Sequence, residues 1–190
     1  TIVVTAERPS GTADTASGAF RGVIDGWFYA LEQDVLADAS VDPDDAAELL
    51  VRTDALMEAR LSTISKTAPA FSAVLRTYRR ALAAGDGMLA DGLISWLSGQ
   101  PNVAASVKRA AGIKGDLDHF GATNFLVGLL TILRDSGFPG LVMVLDEVET
   151  LQRMRTDTRE KGLNALRQWI DEIDAGRYPG LYLVVTGTPA

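Results

Sequence analysis

The chain has 190 residues, of which 47% are hydrophobic and 23% charged, and its net charge is −7. That balance fits a soluble globular protein of one domain, or of one domain with an insertion. The acidic excess argues against non-specific binding of nucleic acid or of an anionic membrane. The absence of cysteine and the single histidine, His119, exclude disulfides, thiolate metal sites and any site built on two histidines.

Residues 1–5, TIVVT, are β-branched and apolar and predict a buried strand, followed by a Gly/Ser/Thr-rich loop over 6–18. From 19 to 39, Phe20, Val23, Ile24, Trp27, Phe28, Leu31 and Val35 recur at helical spacing and predict one apolar helix face. In 42-DPDDAAELL-50, Asp42 reads as a helix cap, Pro43 as the first helical residue, and Asp44 and Asp45 as complements to the helix dipole. The three aspartates are thus taken as a helix start and not as a metal cluster. That helix is predicted to run to about Ile64, with further helices over 69–84, 88–98 and 101–111 and a turn at 112–118.

The segment 119–137 is apolar on most sides and predicts a buried helix stopped by Gly137. His119 opens it and is read as structural. The run 141-LVMVL-145 is apolar on consecutive residues, the pattern of an inner parallel strand covered on both faces. A loop carrying Arg153, Arg155 and Arg159 leads into a helix over 158–175 with Leu163, Leu166, Ile170 and Ile173 as its core stripe. Its arginines are read as solvated charges, and Trp27, Trp96 and Trp169 as core. Residues 181–186, LYLVVT, are predicted as a third strand. Strands spaced by helices indicate an α/β fold with a parallel sheet and right-handed crossovers.

The chemistry concentrates where 141-LVMVLDEVETL-151 turns from apolar to acidic. In P-loop ATPases such a strand ends in an acid that holds Mg²⁺, and a following glutamate polarises the attacking water. The strand end faces the crevice at the carboxyl edge of the sheet, where α/β proteins bind ligands. Asp146 is then the metal acid and Glu147 the water-activating acid. Thr186 and Thr188, after the next strand, are candidates to sense the terminal phosphate. The bland alternative makes Asp146 the cap of a helix starting at Glu147. No lysine among Lys66, Lys108, Lys114 and Lys161 follows a glycine, so the chain contains no Gly-x-x-x-x-Gly-Lys-Ser/Thr loop.

Together, 138-FPGLVMVLDEVETL-151, 160-EKGLNALRQWIDE-172 and 178-YPGLYLVVTGTP-189 resemble the ATP-binding proteins of bacterial BREX phage-defence systems, P-loop ATPases of the broad AAA+/STAND type. The resemblance is strongest over 112–190. It implies a P-loop ahead of Thr1 and a further strand and trans-acting arginine after Ala190, so that the chain is an excised segment. It also implies a partial P-loop-type parallel sheet of three strands, with 141–145 between 1–5 and 181–186, and an unpaired edge at 181–186 that invites self-association.

The expected organisation is a first strand and loop over 1–18, a helical insertion or lid over 19–117, and an ATPase core over 118–190. The expected function is the acidic half of an ATP- and Mg²⁺-dependent hydrolase, inactive alone without a P-loop. It would be cytoplasmic, off the membrane, with protein partners or copies of itself, and would meet DNA only through a larger assembly. The rival expectation is a non-enzymatic α/β interaction module with a degenerate nucleotide site.

Overall fold

A computed structural model defines residues 13–115 and 119–188 of the chain. They fall into two compact units that divide at Gly137–Phe138.

The first unit is helical: α1 (Ala13–Leu36), α2 (Ala46–Thr67), α3 (Pro69–Ala83), α4 (Gly87–Leu97), α5 (Ala105–Ala110) and α6 (His119–Asp135). Its interior follows the predicted stripe of α1, with Ile24, Trp27, Phe28 and Leu31 buried against Leu61, Leu75, Tyr78 and Ile132. Rings fix the packing: Phe28 stacks on Tyr78 at 6.1 Å, and Phe71 meets Phe125 edge-on at 4.9 Å. Polar ties cross the same core. The Trp27 indole donates to Asp135 at 2.7 Å, and Arg60 from α2 reaches the other oxygen of that carboxylate at 3.0 Å. The Tyr78 hydroxyl donates to Asp25 at 2.9 Å. Burial first, and the bond to Asp25 second, push its pKa up to about 12.

Two boundaries differ from expectation. Helix α1 begins at Ala13, inside the stretch predicted as a loop. Helix α2 is capped by Asp45, which accepts from the N–H groups of Ala47 and Glu48 at 3.1 and 3.0 Å. Asp42 instead opens a turn closed by the Asp45 N–H on the Asp42 carbonyl at 3.1 Å, with Pro43 second in that turn. The reason is that proline's fixed φ suits the first residue of a helix and the second residue of a turn equally well. Helix α6 belongs to this first unit, although the sequence grouped it with 118–190. Phe125, Leu130, Ile132 and Leu133 find their apolar surroundings among α1, α2 and α3.

The second unit is a strand–helix–strand unit: β1 (Leu141–Leu145), a 3-10 turn (Val148–Arg153), α7 (Thr156–Asp174) and β2 (Leu181–Val185). The strands pair parallel, with Leu141 beside Leu181 and Leu145 beside Val185. Each is entered by an aromatic–Pro–Gly–Leu tetrapeptide, 138-FPGL-141 and 178-YPGL-181, and the register sets the two glycines next to each other. A Cβ on Gly140 would stand 2.1 Å from the Gly180 carbonyl oxygen, which accepts the Leu141 N–H at 2.8 Å. Only glycine allows the strands to start this close.

Among the described residues the sheet has these two strands; the predicted strand at 1–5 lies outside them. The expectation that 141–145 is covered on both faces is met on neither evenly: Val142 and Val144 are 61% and 57% exposed, and Tyr182, beside Val142, is 69% exposed. The stripe predicted for α7 is also rotated. Leu166, Trp169 and Ile173 are half-buried, whereas Leu163 and Ile170 are each 49% exposed. Tyr178 sets that phase, because its ring stacks on Trp169 at 6.0 Å and its hydroxyl donates to Glu172 at 2.7 Å.

Replacing Gly140 with Ala should cost roughly 1–3 kcal/mol, the range for forcing an extra carbon into a packed contact. Faster hydrogen exchange at the Leu141 amide would report it. Gly22→Ala is the control: nothing lies within 4 Å of its added Cβ, so the helix should gain up to about 1 kcal/mol.

Candidate functional site at the paired strand ends

Both strands run the same way, so both chains leave the sheet at one edge. The Thr186 N–H donates to the Leu145 carbonyl at 2.9 Å, which prolongs the ladder by one step. Asp146 and Thr186 therefore face each other, and the Thr186 hydroxyl donates to Asp146 Oδ1. The Glu147 N–H donates to that same oxygen at 2.9 Å. Asp146 Oδ2 accepts nothing among the described residues, and the side chain is exposed.

Glu147 adopts a left-handed backbone conformation, φ 57° and ψ 37°. A non-glycine residue there carries strain on the order of 1 kcal/mol, and such residues cluster at functional sites. Its side chain is exposed and makes no hydrogen bond or ion pair among the described residues. The break at Glu147 also decides the cap question. The element that follows is the 3-10 turn from Val148, with no side-chain cap, so Asp146 is not the cap of a helix starting at Glu147.

A second cross-strand pair lies beyond the first. The Thr188 hydroxyl donates to Glu149 Oε1 at 2.8 Å, and the Val148 N–H donates to the Thr186 carbonyl at 3.2 Å. Glu149 Oε2 is buried and has no hydrogen-bond partner. Gly187 makes room for it, because a Cβ there would stand 2.9 Å from Oε2 and 3.1 Å from a Val148 methyl. The sequence contains Glu149 in its Asp-Glu-x-Glu run, but only the structure shows it holding Thr188. Spacing gave no signal for it, because Asp146 and Glu149 are three positions apart and Thr186 and Thr188 two.

All four residues singled out from the sequence thus gather at one edge, but not as four free groups. A hydroxyl has one proton. Those of Thr186 and Thr188 are given to carboxylates, so neither threonine can donate to a phosphate while these bonds stand. Glu149, Thr186 and Thr188 line one cavity of about 540 Å³ with Leu151, Leu166 and Arg159. Arg155 lies 4.0 Å from Asp157 with both side chains largely in water, a surface pair of little energetic weight. No group of three or more potential metal ligands occurs among the described residues, so any ion here would need ligands from a substrate or from elsewhere.

The bonds also set the charge. The Thr186 hydroxyl, and then the Glu147 N–H, hold the Asp146 carboxyl below its ordinary pKa. Glu149 is lowered too, by its own backbone N–H first and by the Thr188 hydroxyl second. A depressed carboxylate contributes stability that is fully present above its unfolded value of about 4 and is lost as pH falls through the lower folded value. Thr186→Val removes the main cause and should raise the Asp146 pKa toward that ordinary range. A carboxyl NMR titration of the variant against wild type would read the shift.

The family model described as BREX system ATP-binding protein BrxC/D matches residues 6–190. No curated protein and no solved structure matches the chain.

Proposed function

The chain belongs to the family of BREX system ATP-binding proteins, and from that premise we propose that its second unit supplies the acidic half of an ATP-hydrolysing site in phage defence. The observation that carries this reading is the state of two adjacent acids: Asp146 keeps one oxygen open while Thr186 holds the other, and Glu147 stands exposed on a left-handed backbone.

The donor set suits Mg²⁺. That ion keeps several waters and takes one or two carboxylates plus substrate phosphates, in place of a cage built wholly from protein. A single exposed carboxylate with one open oxygen meets that need, and the lack of a larger ligand cluster among the described residues agrees with it. When bound, the ion would neutralise charge on the phosphates. Asp146 is the residue that would hold it, and Glu147 would accept the proton of the attacking water. Thr186 and Thr188 would respond to the terminal phosphate by changing acceptor, each turning its one proton from a carboxylate to a phosphate oxygen. A phosphate-binding loop must come from outside these 190 residues, since no lysine here follows a glycine.

A cytoplasmic setting is part of this proposal and rests on the phage-defence family alone. Among the described residues no helix is long and apolar enough to cross a membrane. With a net charge of −7, contact with DNA would fall to other parts of an assembly. A second reading, an interaction module without nucleotide chemistry, is favoured by the open apolar face of Val142, Val144 and Tyr182, which would seat a protein partner or a second copy.

The decisive variant is Glu147→Gln in the native gene product. ATP turnover should fall by at least about 100-fold, the scale of losing a general base, while ATP binding by equilibrium dialysis stays near wild type. Unchanged turnover would remove Glu147 from the chemistry, and no ATP binding by wild type would favour the interaction module.

A further inference from the structure

We propose that Glu149 is a positioning residue for this site: by holding Thr188 it clamps the loop after β2 onto the 3-10 turn, and so fixes the course of the chain just beyond the Thr186–Asp146 pair. The inference rests on the hydrolytic reading above and adds a residue and a role to it.

Three contacts make the clamp. Thr188 donates to Glu149 Oε1 at 2.8 Å, the Val148 N–H donates to the Thr186 carbonyl at 3.2 Å, and Gly187 closes over Glu149 Oε2 with no space for a Cβ. Residues 186–188 are thereby fixed at both threonines. The loop carries no other described side-chain hydrogen bond except Thr186 to Asp146. Thr186 has its own backbone bonds to Leu145 and Val148, and the clamp fixes the loop just beyond it at Thr188, while Glu149 itself touches neither Asp146 nor Glu147 by a hydrogen bond.

A buried carboxylate oxygen without a partner carries a desolvation penalty, and Glu149 Oε2 is such an atom, with Asp146 as a like charge nearby. An apolar residue would seal the same turn without that penalty. What an apolar residue cannot do is accept a hydrogen bond from the Thr188 hydroxyl. Position 187 is in keeping with this, since a Cβ there would crowd Glu149 Oε2 at 2.9 Å and the carboxylate would have to shift.

The test is a double-mutant cycle on steady-state ATP hydrolysis by the native gene product, using Glu149→Ala, Thr188→Val and the pair. Thr188→Val keeps the side-chain shape, so the fold is retained where Glu149→Ala could loosen the turn. Each single variant should lower kcat by about 10-fold with the KM for ATP changed by less than about twofold, and the double variant should be no slower than either single one. Glu149→Gln keeps an acceptor for the Thr188 hydroxyl, and should hold kcat within about threefold of wild type.

A double variant whose loss equals the product of the single losses would overturn the clamp, as would Glu149→Gln falling as far as Glu149→Ala. A loss confined to KM would overturn it too, placing the pair in ATP binding. If wild type hydrolyses ATP and Glu147→Gln does not, any of these results sinks the clamp alone. If wild type does not turn over ATP, the hydrolytic reading falls and the clamp's role with it.

Discussion

In a parallel strand pair, the carboxyl ends of both strands emerge at the same edge, and register decides which residues meet there. Here Leu145 lies beside Val185, so Asp146 meets Thr186 as the chains leave the sheet. A slip of one residue would turn every side chain of one strand to the opposite face and separate the pair. The register is favoured at the other end by Gly140, where a Cβ would strike the Gly180 carbonyl oxygen, and by Gly180 at a positive φ of 87°. A constraint at the entrance of the strands thus bears on the chemistry at their exit, across five strand residues on each.

The exit edge faces an electrostatic problem, with Asp146, Glu147 and Glu149 within four consecutive positions. The fold separates them by different means. Asp146 and Glu149 each take a threonine hydroxyl from the neighbouring strand's loop. Glu147 is turned out into water by a left-handed backbone step. That step also ends the helical possibility at once, since the following turn begins only at Val148. One consequence reaches beyond stability. Because each hydroxyl has a single proton, the threonines and the carboxylates form coupled pairs, and whatever draws a proton from one partner changes the charge environment of the other.

The helical unit is built on another principle. Its interior is dense with aliphatic and aromatic side chains, and the buried Trp27 indole and Tyr78 hydroxyl are tied to carboxylates on other helices. Trp27, Arg60 and Asp135 bring α1, α2 and α6 to one carboxylate, while Tyr78 and Asp25 join α3 to α1. Such ties specify which helices pack together, because each would leave an unsatisfied buried group in any other arrangement. This unit has a core of its own, whereas in the second unit the faces of β1 and α7 that carry Val142, Val144, Leu163 and Ile170 remain substantially in water.

The sequence by itself determined the kinds of element, the parallel α/β character of 141–185, and the identity of the acids and threonines, because hydrophobic period and strand-end composition are local properties. It also carried the family, through motifs that lie close together along the chain. Tertiary structure decided the rest. The helix phase of α7 follows from Trp169 meeting Tyr178, a contact between a helix and the loop beyond it that no periodicity encodes. The cap of α2 falls on Asp45 because Pro43 closes a turn, and either role was open to the same four residues. Placing α6 with the helical unit depended on which apolar faces were available to receive it. Above all, the pairing of Thr188 with Glu149 spans 39 positions in the chain; its existence depends on strand register, which only the folded pair of strands defines.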